Sequence, residues 1–345
     1  MILQKCSPLN LPAILLAAFL LFFTACGNSH PENNAEKLGF PKGSRVLLLH
    51  CDDAGMCGEA NTAVMNYFES GDIRSAAVMV PCAYSGELIE WAKTQDSPDI
   101  GIHATLTSEW ETWRWGPVAD TAEVPGLTDP DGMMWRNVPD VLMHASAAEV
   151  ETELRAQIDK VLSMGFRPTH IDTHMGTLYG SVDYLKVFLS LAREYKLPAN
   201  ALETADPEII ENFRRQGYPI SQEVIDLLNQ YDLPKLDNFS AVPDGSSYEN
   251  KRDNFFALVS SLKPGLTEII FHPSVETDNL KTITGSWQQR VWEAQLFSDP
   301  VVKKYFEENG IIITTWTEVM KRYEGKNKTG KAGLFFFTGV FSGQD

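Results

Sequence analysis

Residues 45–55 read RVLLLHCDDAG, an apolar run that leads into two adjacent carboxylates and a glycine. A short apolar run bounded by turn residues is typical of a strand buried on both faces of a parallel sheet. Residues 60–70 carry apolar side chains at helical spacing, which predicts a helix directly after the strand. This stretch therefore predicts a strand, a turn and a helix, with acidic groups at the carboxyl end of the strand.

The same alternation continues along the chain and is typical of βαβ units. Further strands are predicted at residues 75–80, 100–106, 169–173, 266–272 and 311–315. Further helices are predicted at residues 88–93, 147–164, 182–195, 248–262 and 287–308. Residues 199–243 show no clear pattern. The prediction is one α/β domain, because barrels of this class routinely exceed 200 residues.

Composition limits the function classes that fit the chain. It has 345 residues, 43% of them hydrophobic, and a net charge of -17. Nucleic-acid binding relies on clustered Lys and Arg, so this charge argues against a nucleic-acid partner. Neutral or cationic ligands fit better.

The first 25 residues are predicted to be an export signal. Lys5 precedes an apolar stretch at residues 11–23, which is short for a membrane span. The sequence FTACG at residues 23–27 resembles a bacterial lipobox, in which Cys26 becomes the lipid-modified first residue. A plain signal peptide is the alternative. Either way, the protein is expected to function outside the cytoplasm, and the lipobox predicts an anchor in the cell envelope.

The remaining chain is divided into a tether at residues 26–42, a body at residues 43–324 and a tail at residues 325–345. Three cysteines lie in the body, at Cys51, Cys57 and Cys82. Their spacing does not match a zinc site, and buried free thiols are the favoured interpretation. The sequence leaves open whether two of them pair.

Ionisable residues follow four of the predicted strands. Since the carboxyl ends of parallel strands share one edge of a sheet, these residues are expected to meet there. They are Asp52 and Asp53, His103, Asp172 with His174, and His272.

Two adjacent buried carboxylates are costly unless a positive group compensates them, and a divalent ion would do so. Asp53, His103 and His174 can supply one carboxylate and two imidazoles, which leaves Asp52 free as a base. Each motif alone has a structural alternative. The carboxylate pair can cap a turn or helix, and a single histidine can be structural. Convergence of four strand ends favours function.

These motifs together resemble the YdjC-like carbohydrate deacetylases. The family's opening strand, Asp-Asp-x-Gly and helical Asn match residues 47–61, and its Gly-x-His-x-x-Leu-Thr matches residues 101–107. Its Thr-His-x-Asp-x-His matches residues 169–174, and its late His-Pro matches His272 and Pro273. The four motifs occur in order and cover residues 45–323.

The resemblance implies a distorted (β/α) barrel like that of polysaccharide deacetylases. It also implies that the protein hydrolyses N-acetyl groups on amino sugars. It implies a divalent metal, zinc or magnesium, held by the predicted ligand set, with Asp52 as base and His272 as acid. Asp172 is expected to orient a ligand imidazole. Two departures concern the substrate: Gly176 stands where the family often has a second histidine, and Ala54 replaces an aromatic residue.

Residues 108–144 form a long insertion rich in tryptophan. Trp110, Trp113 and Trp115, with Tyr179, are predicted to contact a sugar; the alternative is that the tryptophans pack within the protein. Two other functions remain possible at this stage: hydrolysis of another acyl or phosphoester bond, and glycan binding without catalysis. The sequence does not determine the oligomeric state.

Overall fold

A computed structural model describes residues 32–204, 207–215 and 217–337 of the chain, with side chains described to residue 327. The predicted signal, the lipobox and Cys26 lie outside these residues. None of the helices in the described part is long and apolar enough to cross a membrane.

Seven parallel strands form the centre of the fold. They are β1 (Arg45–Ala54), β2 (Ser75–Val78), β3 (Asp99–Ala104), β4 (Ile171–Thr173), β5 (Asn238–Ala241), β6 (Gly265–Phe271) and β7 (Ile312–Thr314). The sheet order is β4-β3-β2-β1-β6-β5, and β7 pairs with the first half of β1.

Residues 199–202 bridge the two edges of this sheet. Ala199 pairs with Ile171 of β4, and Leu202 pairs with Leu236, two residues before β5. The sheet is therefore curled into an irregular, barrel-like shape, which confirms the predicted distorted (β/α) barrel.

Thirteen helices lie within the described residues and connect or cover the strands. They are α1 (Asn34–Lys37), α2 (Gly58–Ser70), α3 (Ser85–Ala92), α4 (Val138–His144), α5 (Ala147–Ser163), α6 (Val182–Tyr195), α7 (Pro207–Arg215), α8 (Gln222–Gln230), α9 (Tyr248–Ser261), α10 (Asp278–Ile283), α11 (Trp287–Leu296), α12 (Pro300–Glu308) and α13 (Trp316–Phe337). Short 3-10 turns occur at Pro125–Leu127 and His174–Tyr179.

The single helix predicted at residues 287–308 is wrong, because two helices occupy it. Asp299 caps the second helix by accepting from the amide of Val301, and Pro300 is its first residue. Proline lacks the amide hydrogen that a continuous helix needs but suits a first turn. Pro300 therefore separates the two helices, and the periodicity of apolar residues gives no sign of this break.

Alternation along β1 separates the two sides of the barrel wall. Leu47 and Leu49 pack in the main core beneath the helices. Val46 and Leu48 belong to a second cluster with Trp316, and the next residues on that face are His50 and Asp52. The inner face of β1 thus changes from apolar to ionisable toward the carboxyl end of the strand.

Candidate metal and catalytic site

Three ligand atoms from three different strand ends meet at the carboxyl edge of the barrel. His103 Nε2 lies 3.4 Å from Asp53 Oδ1 and 3.1 Å from His174 Nδ1, and His174 Nδ1 lies 3.3 Å from Asp53 Oδ1. All three side chains are buried. The predicted set of Asp53, His103 and His174, called the triad below, therefore comes together.

The triad fits a divalent metal ion. Ligands at about 2.1 Å from one ion lie roughly 3.0 Å apart in octahedral and 3.4 Å apart in tetrahedral geometry, which brackets the three separations. Asp53 Oδ1 is buried and has no hydrogen-bond partner among the described residues. An acceptor oxygen and two imidazole nitrogens that point at one spot suit a shared cation.

Two other groups could be considered as ion sites, namely His50, His170 and Asp172, and Asp52, His103 and Asp172. Both are less suitable. The two ring nitrogens of His50 already contact Ser75 and Asp172, and Asp172 uses one oxygen for each of two histidines. The triad is the set whose converging atoms remain available.

The end of β1 and the turn after it explain why the sequence has the Asp-Asp-x-Gly motif at this point. Asp53 adopts a φ of 58° and Gly55 a φ of 83°, both in the left-handed region. A Cβ on Gly55 would lie 2.9 Å from the Ser85 Cα, so only glycine fits. The Asn61 amide oxygen accepts from the Gly55 amide, and the Asn61 amide nitrogen donates to the Tyr84 carbonyl. Asn61 thereby holds the loop that presents the carboxylates.

Both triad histidines have a carboxylate on their other nitrogen. His103 Nδ1 donates to Asp172 Oδ1 at 2.6 Å, as predicted for an orienting carboxylate. His174 Nε2 lies 3.2 Å from Glu109 Oε2. A carboxylate behind a ligand imidazole fixes its tautomer and raises its basicity. These contacts leave His103 Nε2 and His174 Nδ1 facing the shared spot.

A buried histidine lies beneath Asp172. His50 Nε2 donates to Asp172 Oδ2 at 2.9 Å, and His50 Nδ1 lies 2.9 Å from the Ser75 hydroxyl oxygen. That hydroxyl donates its only proton to Asp99 at 2.7 Å, so His50 Nδ1 must also be a donor. Burial opposes the charge, but Asp172 outweighs it and the pKa of His50 rises to about 9. His50 is therefore an imidazolium that compensates Asp172.

Arg290 contacts the remaining oxygen of the triad carboxylate. Its Nη2 donates to Asp53 Oδ2 at 2.7 Å, and both side chains are buried. Burial alone would raise the pKa of Asp53, but Arg290 and the two imidazoles hold it well below its usual range. Asp53 is therefore ionised and aimed at the shared spot.

The carboxylates around the triad also act on its histidines. Burial disfavours the charged ring of His103, but Asp172 and Asp52 raise its pKa well above the usual value. Burial is likewise outweighed at His174, where Glu109 and Asp53 raise the pKa to about 9. Without a metal, protons on the imidazole rings of His103 and His174 compensate the negative charge of the surrounding carboxylates. Binding of a divalent ion would displace these protons and compensate the same charge.

Asp52 lies beside the triad and is available as a base. Its Oδ2 lies 3.9 Å from His103 Nε2, its Oδ1 lies 3.6 Å from His50 Nε2, and Oδ1 has no hydrogen-bond partner in the described part of the chain. Burial raises the pKa of Asp52, although the neighbouring histidines oppose this. A buried carboxylate with a raised pKa suits proton transfer near neutral pH.

His272 lines the same cavity as Asp52 and the triad and is partly exposed, with 33% of its side chain accessible. The parallel register pairs Cys51 with Phe271, so Asp52 and His272 leave neighbouring strands at the same level. The backbone amide of His272 donates to Glu293 Oε2 at 2.7 Å, and Glu293 Oε1 lies 2.8 Å from the fully buried Lys251 Nζ. A buried ion pair therefore fixes the segment that carries His272.

These groups open into a cavity of about 460 Å³. It is lined by every predicted catalytic and metal residue, by Asp172 and by the predicted substrate contact Tyr179. Sequence reasoning missed Glu109 and Arg290, which also line it. Neither belongs to a motif, since a single charged residue on a loop or helix has no distinguishing pattern.

The three predicted tryptophan contacts are not among the residues that line this cavity. Trp115 is buried, and its indole nitrogen donates to the Thr107 carbonyl. The indole nitrogen of Trp113 donates to the Met56 carbonyl, and Trp110 packs edge-on against Trp115 with ring centroids 5.4 Å apart. Trp115 is thus packed within the protein, whereas Trp110 and Trp113 stay partly exposed outside this cavity, and their contact with a sugar stays a prediction.

Comparison with known proteins finds a matching protein family and similar enzymes. The model of the family described as YdjC-like protein matches residues 46–308. A carbohydrate deacetylase from Listeria monocytogenes serotype 4b is 32% identical over 278 residues, which cover 79% of this chain and 99% of that protein. A carbohydrate deacetylase from Thermus thermophilus is 29% identical, with 79% of this chain and 93% of that protein covered.

A solved structure from Enterococcus faecalis V583, named as a candidate cellobiose-phosphate cleavage protein, is similar in fold. Its TM-score is 0.66 at 24% identity, and the match covers 80% of this chain and 99% of that chain. The barrel thus belongs to a fold that is already known.

Proposed function

Because the chain belongs to the YdjC-like family, we propose that it is a metal-dependent hydrolase that removes the N-acetyl group from an amino sugar. Relatives named carbohydrate deacetylase support the acetylated sugar as the substrate class. The observation that carries the proposal is the triad, whose three converging atoms lie 3.1 to 3.4 Å apart in a cavity that Asp52 and His272 also line.

Asp53, His103 and His174 would hold the ion, and two imidazoles with one carboxylate suit zinc, with magnesium as a further candidate. When bound, a divalent ion polarises a carbonyl oxygen and lowers the pKa of water. Arg290 keeps the Asp53 carboxylate ionised, and Asp172 keeps the His103 lone pair directed at the ion.

Asp52 and His272 supply the proton transfers. Asp52 accepts a proton from the water that attacks the acetyl carbonyl carbon. His272 donates a proton to the amide nitrogen as the C–N bond breaks, because that nitrogen is a poor leaving group as an anion. The products are acetate and a free amino sugar.

The lining of the cavity argues against a phosphorylated substrate. Arg290 is the only Lys or Arg among the described residues that line it, and its Nη2 is already paired with Asp53. Phosphate recognition ordinarily uses several free cationic donors. An uncharged amide suits this site better.

Acetate release from a panel of acetylated amino sugars, measured with and without a chelator, tests the proposal. We expect release that stops with chelator and returns with added zinc or magnesium. Release that is unaffected by complete metal removal would contradict metal dependence. Phosphate or ester hydrolysis without acetate release from amides would indicate the alternative hydrolase, and sugar binding without turnover would indicate a binding protein.

We also infer that the chain is exported and held at the bacterial cell envelope by lipid on Cys26, which rests on the signal and lipobox patterns. Growth with a labelled fatty acid should label the wild-type chain and not the Cys26→Ser variant. Equal labelling of both chains would contradict lipid attachment at this residue.

A further inference from the structure

The cavity next to the triad has an unusually apolar wall for a sugar site. Much of this wall comes from residues 202–239, the part of the chain with no clear sequence pattern. Its lining side chains there are mainly aliphatic or aromatic: Leu202, Ile209, Ile210, Phe213, Ile220, Leu228 and Phe239. Glu203 and Thr204 are the polar exceptions in this stretch. The apolar majority calls for an explanation that the proposed reaction does not give.

Helix α7 supplies the centre of this wall. Ile209, Ile210 and Phe213 line the cavity, whereas Glu211 and Asn212 are exposed. None of its described side chains is fully buried. Phe213 packs in part against the second core cluster, whereas Ile209 and Ile210 belong to neither the main core nor that cluster. Half-buried apolar residues that face a cavity are expected where a ligand covers them.

The wall begins close to the triad. Gly176 lies two residues after His174 and has a φ of 64°. A Cβ at this position would lie 2.5 Å from the Tyr218 hydroxyl, so Tyr218 fills the space that a side chain would take. The Tyr218 ring packs against the rings of Phe213 and Tyr179, with ring centroids 5.7 Å and 6.4 Å apart, respectively. Apolar contacts thus run without a break from the reactive end to α7.

The chemistry of the wall determines what can occupy it. Aromatic rings can stack on the C–H face of a sugar, but isoleucine and leucine offer no partner for hydroxyl groups. Burying unpaired hydroxyls against Ile209, Ile210 and Ile220 would cost free energy, whereas burying CH₂ groups there is favourable. A volume of about 460 Å³ also exceeds what an acetyl group alone requires, since cavities of this size take drug-sized ligands.

We propose that the substrate is an amphipathic amino sugar, with its N-acyl amide at the triad and an apolar chain along the wall formed by α7, Tyr218 and Phe239. This inference rests on the proposed deacetylase function and extends it to the class of substrate. The chain can be joined to the sugar as an alkyl aglycone or as a longer N-acyl group, and the experiment distinguishes these sources.

The test compares octyl and methyl β-glycosides of N-acetylglucosamine below the micelle concentration, together with methyl N-octanoylglucosaminide and chitobiose. For an aglycone chain, we expect kcat/KM for acetate release to be about tenfold or more higher for the octyl than for the methyl glycoside, in the range that additional methylenes provide. Preference for octanoate release would assign the chain to the acyl group. Equal values throughout, or a preference for chitobiose, would overturn the inference and leave the deacetylase function standing.

Phe213→Ser and Ile210→Asn should each bring the octyl-to-methyl ratio close to one, and Asn212→Ser, on the exposed side of α7, should preserve it. Thermal denaturation checks that each variant folds, and the wild-type comparison decides the question by itself. Calorimetry with octyl and methyl β-glucoside, which have no acetyl group, gives a readout independent of turnover. Tighter octyl binding that depends on Phe213, without acetate release from any sugar, would support the apolar site and refute the deacetylase function.

Discussion

Replacing Asp172 with asparagine should weaken metal binding, although none of the three metal ligands is itself replaced. Asp172 accepts from His103 Nδ1 at 2.6 Å and from His50 Nε2 at 2.9 Å, and both partners are buried. Asparagine has only one acceptor oxygen, so its NH₂ group must face a ring N–H. Either His103 moves its proton to Nε2, where the lone pair is needed, or the His50 imidazolium loses its counterion.

The magnitude follows from these two contacts. Loss of a carboxylate behind a ligand histidine typically lowers metal affinity by about 10- to 100-fold. Removing one partner of a buried ion pair costs about 3–5 kcal/mol, so the unfolding temperature of the metal-free variant should also fall. Competition with a chelating indicator measures the affinity, and thermal denaturation of the metal-free protein measures the stability.

Asp52→Asn is the matched control, because it makes the same chemical change at a neighbouring buried carboxylate, on β1 instead of β4. Asp52 Oδ1 has no hydrogen-bond partner among the described residues, and no triad atom depends on this carboxylate for its orientation. Metal affinity should therefore remain within a few-fold of the wild type. If Asp172→Asn bound the metal as tightly as Asp52→Asn does, Asp172 would not be orienting His103, and the reasoning would be refuted.

Three further predictions concern catalysis and stability. Asp52→Asn should lower acetate release by about 10²- to 10⁴-fold, the contribution of a general base, and retained activity would exclude Asp52 from that role. Glu293→Gln should lower both the unfolding temperature and kcat. Lys251 would lose its buried ionic partner at 2.8 Å, and the backbone amide of His272 would lose its charged acceptor. An unchanged unfolding temperature together with an unchanged kcat would contradict this. Burial raises the pKa of Glu268 from 4.5 to about 8, so the folded state keeps a proton that the unfolded state loses, and stability falls as pH rises through this window. Glu268→Gln should therefore gain roughly 1.4 kcal/mol per pH unit relative to the wild type between pH 5.5 and 7.5, and a constant difference in unfolding free energy would contradict the assignment.

The sequence predicts the strands that carry the site because their signals are local. An apolar run followed by ionisable residues marks the ends of β1 and β6, and parallel pairing then brings them together. The register makes this explicit, since Cys51 pairs with Phe271 and His103 with Asp172. A family resemblance built on these motifs therefore identifies the triad before any distance is known.

The contacts between the two edges of the curled sheet could not be predicted in this way. Ala199 and Leu202 bridge the sheet edges through isolated pairs, which are too short to produce a periodic signal. Helix α7 is strongly amphipathic, yet none of its described residues is fully buried and only Phe213 packs in part against a core cluster. Its sequence pattern therefore does not indicate which residues its apolar side chains contact. What they contact depends on the tertiary structure.

The charged partners of the triad were missed for a related reason. Glu109 lies in the insertion and Arg290 on α11, and each acts through one contact with a ligand residue. The composition of the insertion instead drew attention to its tryptophans, and Trp115 proves to be buried against Thr107. Unusual composition indicates that a loop has a role, but only packing distinguishes ligand contact from support of the fold.

The central claim is that one ion sits between Asp53, His103 and His174. Anomalous X-ray diffraction from a zinc-loaded crystal, recorded at the zinc absorption edge, tests it most directly. The account predicts one strong peak about 2.0–2.3 Å from Asp53 Oδ1, His103 Nε2 and His174 Nδ1. A peak that is instead held by His50 and His170, or the absence of a peak at the triad in protein that releases acetate, would contradict it.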